Sequence, residues 1–469
     1  MFLVSLGKKQ WDSTWYGLPG EIRLLILERY NFGRIKLTPS RLVAFSSMVH
    51  RNRALVRYIW FCLELDDYDC TKCAPCQGMV TDVEWEEAFA IIDTNNCPVT
   101  TAFQNLFSIL STWDPNGDLT FDISIYSPNI LGGGGMMQTI LDKVHNDPQH
   151  GWVAGFRHSA PPRAAILKVF HSVMGEGPFD SEQSELQWWD RLPLVPAVTS
   201  LLLRQQNRRR WKPGSFAHMF ARFPRLQEVH YEPWREWDSM QRVIQIEVNF
   251  QYLFESIQHF NNNLKRLVVF ENFNQQYSAI MQRFLLGVNL SGCDSARNPA
   301  PAISRMIALV SLKLEHLATS LIVDASHFFE MEPSWEWPNL TSPVIISKLL
   351  MADETSIEIG AMLRVAAAAA IKMPRLGTIE IWNGRKGLTT LFKYQAFRDI
   401  QQALITWRAV VHQYDGWRLN LVQERLDEAA IKSHGDAIHY LGLSSQVIRP
   451  ISLQQIRIEQ KALEGVETV

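Results

Sequence analysis

Cys70, Cys73 and Cys76 in "DCTKCAPC" stand at C-x2-C-x2-C spacing, the most metal-like run in the chain. A tetrahedral zinc site favours paired C-x2-C clips, and an iron–sulfur run wants a fourth cysteine soon after the third. The next one is Cys97, beyond "TDVEWEEAFAIIDTNN", which gives no reason for the chain to return. The three thiols therefore read as free loop cysteines, with no metal and no cofactor assigned. "RQQNRRRWKP" carries four arginines, Lys212 and Trp211, a set that can touch phosphates. In a chain with 46 basic and 48 acidic residues and a formal charge of -2, it reads rather as a solvated loop after a strand. "LGGGGMM" lacks the Lys-Ser/Thr ending of a phosphate-binding loop and reads as a turn. No H-E-x-x-H, G-x-S-x-G or kinase set occurs, and the thirteen histidines lack ligand spacing, so no catalytic residue is assigned. Trp234 and Trp237 in "YEPWREW" are either exposed anchors for a protein partner or packing at a core edge.

The elements that would position such residues come from a chain of 469 residues, 46% hydrophobic, long enough for a large core. Its near-neutral balance provides no global field toward nucleic acid or anionic lipid. "MFLVSLGKKQ" is too brief for a secretory signal, and "IGAMLRVAAAAAIKM" is Ala-rich and carries Arg364. Six cysteines are too few to staple so long a chain and suit a reducing compartment. The expectation is a soluble intracellular protein of the cytoplasm or nucleus, with no membrane contact.

A phrase recurs along the chain, a helix-like stretch ending in Leu followed by a short strand: "FPRLQEVHY", "NNLKRLVVF", "IALVSLKLE" and "MPRLGTIEIW". As L-x-x-φ-x-φ, with φ any apolar residue, the copies are Leu226/Val229/Tyr231, Leu264/Leu267/Val269, Leu309/Leu312/Leu314 and Leu376/Ile379/Ile381. Weaker members are Val198/Leu201/Leu203 and "WPNLTSPVII", where Pro343 takes the second apolar place; Phe32/Ile35/Leu37, "VRYIWFCLEL" and "LTFDISIY" are earlier strands of the series. Alternating apolar residues bury one strand face, while "SFAHMFARF", "YLFESIQHF" and "IGAMLRVAAAAAIKM" have helical spacing. Units that cannot bury their apolar face alone must stack, which predicts an α/β, irregular leucine-rich-repeat-like solenoid. The copies lie roughly 28 to 45 residues apart against about 20 to 29 in regular repeats, so insertions are expected. "YSPNILGGGG", "HSAPPRAA", "GEGPFDSEQSE", "SGCDSARNPAPAIS" and "EMEPSWEWPNL" are loop-like by their Gly and Pro. A doubly wound α/β fold is the alternative, since strand–helix alternation alone does not separate the two. The expected division is a short helical unit over 10–30, the solenoid over 31–449, and over 450–469 a closing helix capped by Ser452 with Gln455 at its third position, then the tail.

In "LPGEIRLLILE", Pro19 fits the first helical position and Glu21 complements the positive helix end. Leu18, Ile22, Leu25 and Ile26 recur on one face, so this helix must dock on something apolar. The segment resembles the first helix of an F-box, whose hallmark is a Leu-Pro-x-Glu-Ile-x-x-x-Ile-Leu run ahead of a repeat body. "NFGRIKLTPSRLVAFSSMVHRNRALVRYIWFCLEL", "AVTSLLLRQQNRRRW", "FPRLQEVHYEPWREW" and "HGDAIHYLGLSSQVIRP" are similar to a group of F-box proteins from filamentous fungi, so the resemblance covers nearly the whole chain. It implies a non-catalytic substrate receptor of a cullin-RING ubiquitin ligase. The F-box would bind the Skp adaptor through Leu18, Pro19, Ile22, Leu25 and Ile26, and the repeat body would hold an unknown protein substrate.

An F-box has three helices, and in this group the second and third, with a Ser-Arg-Glu-Trp-like stretch, precede the "NF-x-R-I-K-L" strand. Here Glu28 runs straight into Arg29 and the strand, so the F-box is truncated after its first helix. Leu18 to Glu28 spans about 16 Å as a helix. One such helix supplies only part of the roughly 1,000 Å² a stable interface needs. The other readings are an α/β enzyme with a site these motifs do not reveal, and a stand-alone protein-binding scaffold. Elemental analysis of protein purified without an affinity tag is expected to give metal near zero per chain, and stoichiometric zinc would restore Cys70, Cys73 and Cys76 as ligands.

Overall fold

A computed structural model of the chain describes residues 33–64, 98–114, 117–126, 152–153, 156–157, 179, 181–204, 211–235, 247–260, 263–272, 299–330, 332–350, 356–385, 387–395 and 430–464. The strands are β1 (Arg34–Leu37), β2 (Tyr58–Glu64), β3 (Leu119–Tyr126), β4 (Trp152–Val153), β5 (Phe156–Arg157), β6 (Val198–Leu203), β7 (Glu228–Tyr231), β8 (Arg266–Phe270), β9 (His316–Ser320), β10 (Ser342–Ile346), β11 (Thr378–Arg385) and β12 (Leu388–Gln395). The helices are α1 (Leu42–Val49), α2 (98–110), α3 (Glu182–Arg191), α4 (Pro213–Phe220), α5 (Glu247–Phe260), α6 (Pro301–Ser311), α7 (Ala325–Phe328), α8 (Ser356–Ile371), α9 (His434–Leu441) and α10 (Pro450–Glu464). Ten strands form one open sheet in the order β1-β2-β3-β6-β7-β8-β9-β10-β11-β12, while β4 and β5 pair separately. Strands β1 to β11 of this sheet run parallel, and β12 returns antiparallel. Its hairpin turn places Gly387 at φ 74°, where a side chain would be strained.

The register converts the recurring phrase into two continuous ladders. Ile35, Ile59, Phe121, Leu201, Val229, Leu267 and Leu317 are successive partners, as are Leu37, Phe61, Ile123, Leu203, Tyr231, Val269 and Thr319. All point to the first face, where the larger core gathers Phe45 of α1, Phe103 and Phe107 of α2, Trp189 of α3, Phe216 and Phe220 of α4, Phe254 of α5, Ile307 of α6 and Ala366 of α8. Helix starts follow their local chemistry: Pro213 and Pro301 open α4 and α6, and the Ser181 hydroxyl accepts from the Ser184 N–H at 3.2 Å. Ser181 thereby starts a helix inside "GEGPFDSEQSE", which the composition presents as a loop; its cap outweighs the flanking Gly and Pro.

The third copy of the phrase shifts by one frame. Leu309 lies within α6, and the strand is His316–Ser320, with Leu314 in the leading place and Leu317 and Thr319 in the ladders. Alternating leucines in "IALVSLKLEHL" offer two frames, and the small residues Ala318, Thr319 and Ser320 hide the strand from an apolar count. Pro343 does occupy the second place of its copy, opposite Leu317.

The second face of the sheet is covered over its later strands by α9 and α10. Ile438, Val447, Ile448 and Ile456 pack on Val268, Phe270, Val344, Ile346 and Trp382 in a separate core. Buried carboxylates fix this unit. Glu232 accepts from the Arg449 N–H at 2.7 Å and the Ser452 hydroxyl at 2.5 Å, and Glu380 accepts from the Ser444 N–H at 2.8 Å. Ser452 is thus inside α10 and bonded to Glu232, just after β7, rather than capping the helix, because Pro450 already starts it. Ser433 caps α9 through the Asp436 N–H at 3.2 Å, and Gly442 ends it in the left-handed region.

Gly384 on β11 is what lets α9 approach, since a Cβ there would lie 2.5 Å from the Ala437 Cβ and 3.3 Å from the Trp382 ring. Gly384→Ala is expected to lower stability by about 1–3 kcal/mol through overpacking, and Gly384→Ala with Ala437→Gly to recover most of it. Thermal unfolding of the two variants checks this, and equal losses in both would contradict the contact.

Candidate functional site

Strand residues one position off the ladders point to the second face, and over β1, β2 and β3 most are polar, cationic or aromatic, while β6 adds the buried Leu202. Arg34 and Lys36 come from β1, Tyr58, Trp60 and Cys62 from β2, Asp122 and Ser124 from β3, and Arg204 follows β6. Parallel register sets them side by side, Arg34 opposite Tyr58, Lys36 opposite Trp60, Trp60 opposite Asp122 and Cys62 opposite Ser124.

At the centre the Tyr58 hydroxyl donates to Asp122 Oδ2, and Arg204 Nη2 donates to the same carboxylate oxygen and, at 2.5 Å, to the Tyr58 oxygen. Asp122 is wholly buried, and the Arg204 side chain is only 7% exposed. Burial pushes the Asp122 carboxyl upward against the lowering pull of Arg204 and of the Tyr58 hydrogen bond. Burial also opposes the charge on Arg204, yet Asp122 and Tyr58 hold its guanidinium above its ordinary value, so Arg204 stays charged at neutral pH. Around this core the Trp60 indole donates to Ser124 Oγ at 2.7 Å, and Ser124 faces Cys62 Sγ at 3.6 Å. Burial raises the Cys62 thiol, which keeps it protonated and suits packing rather than nucleophilic attack.

Cations cover the two aromatic rings. The Arg34 guanidinium lies 4.4 Å from the Tyr58 centroid, Lys36 Nζ 5.0 Å from Trp60, and Arg204 5.6 Å from Trp60. Arg34 and Lys36 are exposed and Tyr58 and Trp60 half-buried, so the patch meets solvent. Arg449, at the start of α10, is close enough for its charge to lower both Asp122 and Glu228. Charge, hydrogen-bonding groups and ring edges suit recognition of a polar surface. Among the described residues no group of three His, Cys, Asp or Glu side chains is placed to hold a metal ion.

The residues that the sequence singled out fall mostly elsewhere. Leu18, Pro19, Ile22, Leu25 and Ile26, the thiols of Cys70, Cys73, Cys76 and Cys97, the glycine run, Arg208, Arg209, Arg210 and Trp237 lie outside the described residues. Of the basic run, Arg204 joins Asp122, Trp211 is buried in the larger core, and Lys212 pairs with Glu182 at 2.7 Å. Trp234 is buried and bridges to Asn272, so it packs at the core edge and is no exposed anchor. The Tyr58–Asp122–Arg204 cluster was not singled out by the motifs. Its trace in the sequence is Asp122 in the middle of the apolar strand "LTFDISIY", a charge that a parallel sheet tolerates only with a partner. Among the described residues no helix is long and apolar enough to cross a membrane.

Burial and the neighbouring Asp122 carboxylate raise the Tyr58 phenol from 10.0 to about 12. The folded protein then keeps this proton where the unfolded chain gives it up. The contribution of Tyr58 is complete below pH 10 and is lost as pH rises toward 12. Thermal unfolding of the wild type and Tyr58→Phe should therefore show a stability difference that shrinks across this alkaline window. A constant difference would contradict the burial of the phenol against Asp122.

Residues 259–449 match a family of unknown function, DUF6546. That stretch is less than half of the chain and holds β8 to β12 with α9, the covered part of the second face, rather than the cluster around Asp122. No curated protein matches the chain.

Proposed function

We propose that the chain is a non-catalytic protein-recognition subunit, an irregular leucine-rich-repeat-like solenoid that acts as an F-box substrate receptor of a cullin-RING ubiquitin ligase in the cytoplasm or nucleus. The observation that carries the reading is strand order. Strands β1 to β11 of the main sheet lie side by side in chain sequence, with no reversal. In open α/β enzymes the ligand crevice forms where strand order reverses, and a sheet that never reverses builds no such crevice. Stacking in chain order is also how repeat units shield their apolar faces and leave an extended surface for capture. The F-box resemblance of the first helix adds the adaptor. Leu18, Pro19, Ile22, Leu25 and Ile26 are the residues that would meet the Skp protein, with a smaller contact than a complete three-helix F-box makes.

Purified chain mixed with a Skp adaptor is expected to bind measurably but at least about tenfold more weakly than a version carrying a complete F-box, and Ile22→Asp with Leu25→Asp should abolish the contact. Binding by the control with none by the chain removes the ligase role and leaves a stand-alone scaffold.

A further inference from the structure

Over β1 and β2 the second face presents exposed positive charge. Between residues 33 and 64 stand Arg34, Lys36, Arg41, Arg51, Arg53 and Arg57 against Glu64 alone, in a chain whose formal charge is -2. On the face itself, Arg34, Lys36 and Arg204 stand beside Asp122, whose carboxylate is held by Arg204 and Tyr58. Among the described residues Arg34 and Lys36 meet aromatic rings and no carboxylate. Both are exposed. Farther along the sheet the pattern ends, because Arg266 there already meets Glu228 at 3.3 Å and Lys393 meets Glu380 at 2.9 Å.

Arg34 and Lys36 are two residues apart on one strand, so their side chains leave the same face about 6.6 Å from each other. An extended peptide repeats its own same-face side chains at the same interval. Cation–π contact with Tyr58 and Trp60 holds the two cationic heads at that spacing before any ligand arrives, which lowers the ordering cost of binding. Single-stranded nucleic acid would need free ring faces on which to stack its bases, and here cations lie over both rings.

We propose that this face reads an extended segment of the captured protein with acidic side chains at alternate positions, paired to Arg34 and Lys36; the inference rests on the recognition reading above and names its ligand chemistry.

The test uses the full chain and a fluorescein-labelled Glu-Gly alternating decapeptide, with a Lys-Gly decapeptide and decathymidylate as competitors of other chemistry, in fluorescence anisotropy. The acidic peptide is expected to bind at least about tenfold more tightly than the other two and to weaken with added salt. Arg34→Glu with Lys36→Glu should abolish binding, and Arg34→Gln with Lys36→Gln should reduce it about tenfold, both with unchanged unfolding temperature because the two side chains are exposed. Equal binding of acidic and basic peptides, tighter binding of decathymidylate, or wild-type affinity in the Gln pair overturns the proposal. Adaptor capture separates the two levels. A chain that binds the Skp adaptor yet ignores peptide charge refutes this inference alone, while charge preference without adaptor binding removes only the ligase role.

Discussion

A sheet of parallel strands laid down in chain order has one face that its own connections can cover and one that they cannot. Right-handed crossovers, repeated without reversal, deliver every connecting helix to the same side. In this chain that side holds the larger core, from Ile35 to Phe392. The other side must be dealt with separately, because strands exposing apolar groups to water on one face are unstable in a parallel sheet. The chain answers in two ways at once. Over β8 to β12 it writes apolar residues and returns α9 and α10 to cover them. Over β1, β2, β3 and β6 it writes mainly Arg34, Lys36, Tyr58, Trp60, Asp122, Ser124 and Arg204, with Cys62 and Leu202 buried on the same face.

The border between these two solutions is drawn by buried polar groups. Glu232, on the chain just after β7, reaches the first turn of α10 through the Arg449 N–H and the Ser452 hydroxyl. His434 meets Asn272 at 2.8 Å beside Phe270. A buried carboxylate bonded to backbone and hydroxyl donors adds little net stability over an apolar packing, but it penalises every other docking position, since misplacement would strand it. Glu232 and Glu380 therefore fix where the covering unit sits, while Ile438, Val447 and Ile456 supply the driving force. Close approach depends on Gly384 and Gly435, where Cβ atoms would meet Ala437 and Ile456 at 2.5 Å and 2.7 Å.

The first face was legible in the sequence because one periodicity controls it. Val229/Tyr231 and Leu267/Val269 fall on the observed ladders, Leu226 and Leu264 are buried just ahead of their strands, and the Ala-rich run is the helix its spacing predicts. The reading slipped at β9, where Ala318 and Ser320 contribute pairing without apolar weight, and inside "GEGPFDSEQSE", where a single cap decides. The second face was hidden for a different reason. Its residues are defined by what lies opposite them, and Tyr58, Asp122 and Arg204 are 64 and 82 positions apart in the chain. No spacing rule joins such residues until strand order and register are known. Only the isolated Asp122 within an apolar strand signalled that a partner had to exist.

The chemistry of that cluster then bears on why it is there. Replacing a buried ion pair by apolar side chains of similar volume is commonly neutral or stabilising, so Asp122 and Arg204 are poorly explained as a device for holding the sheet together. The larger core beneath them already has Phe61, Phe121 and Phe223 in ring contact across β2 and β3. What the pair does accomplish is positional. Asp122 draws the Arg204 guanidinium from β6 toward β2, where it meets the Tyr58 oxygen and lies over Trp60. Those rings in turn carry Arg34 and Lys36. A single buried carboxylate thus orders a layer of rings and cations out to the solvent edge of the sheet.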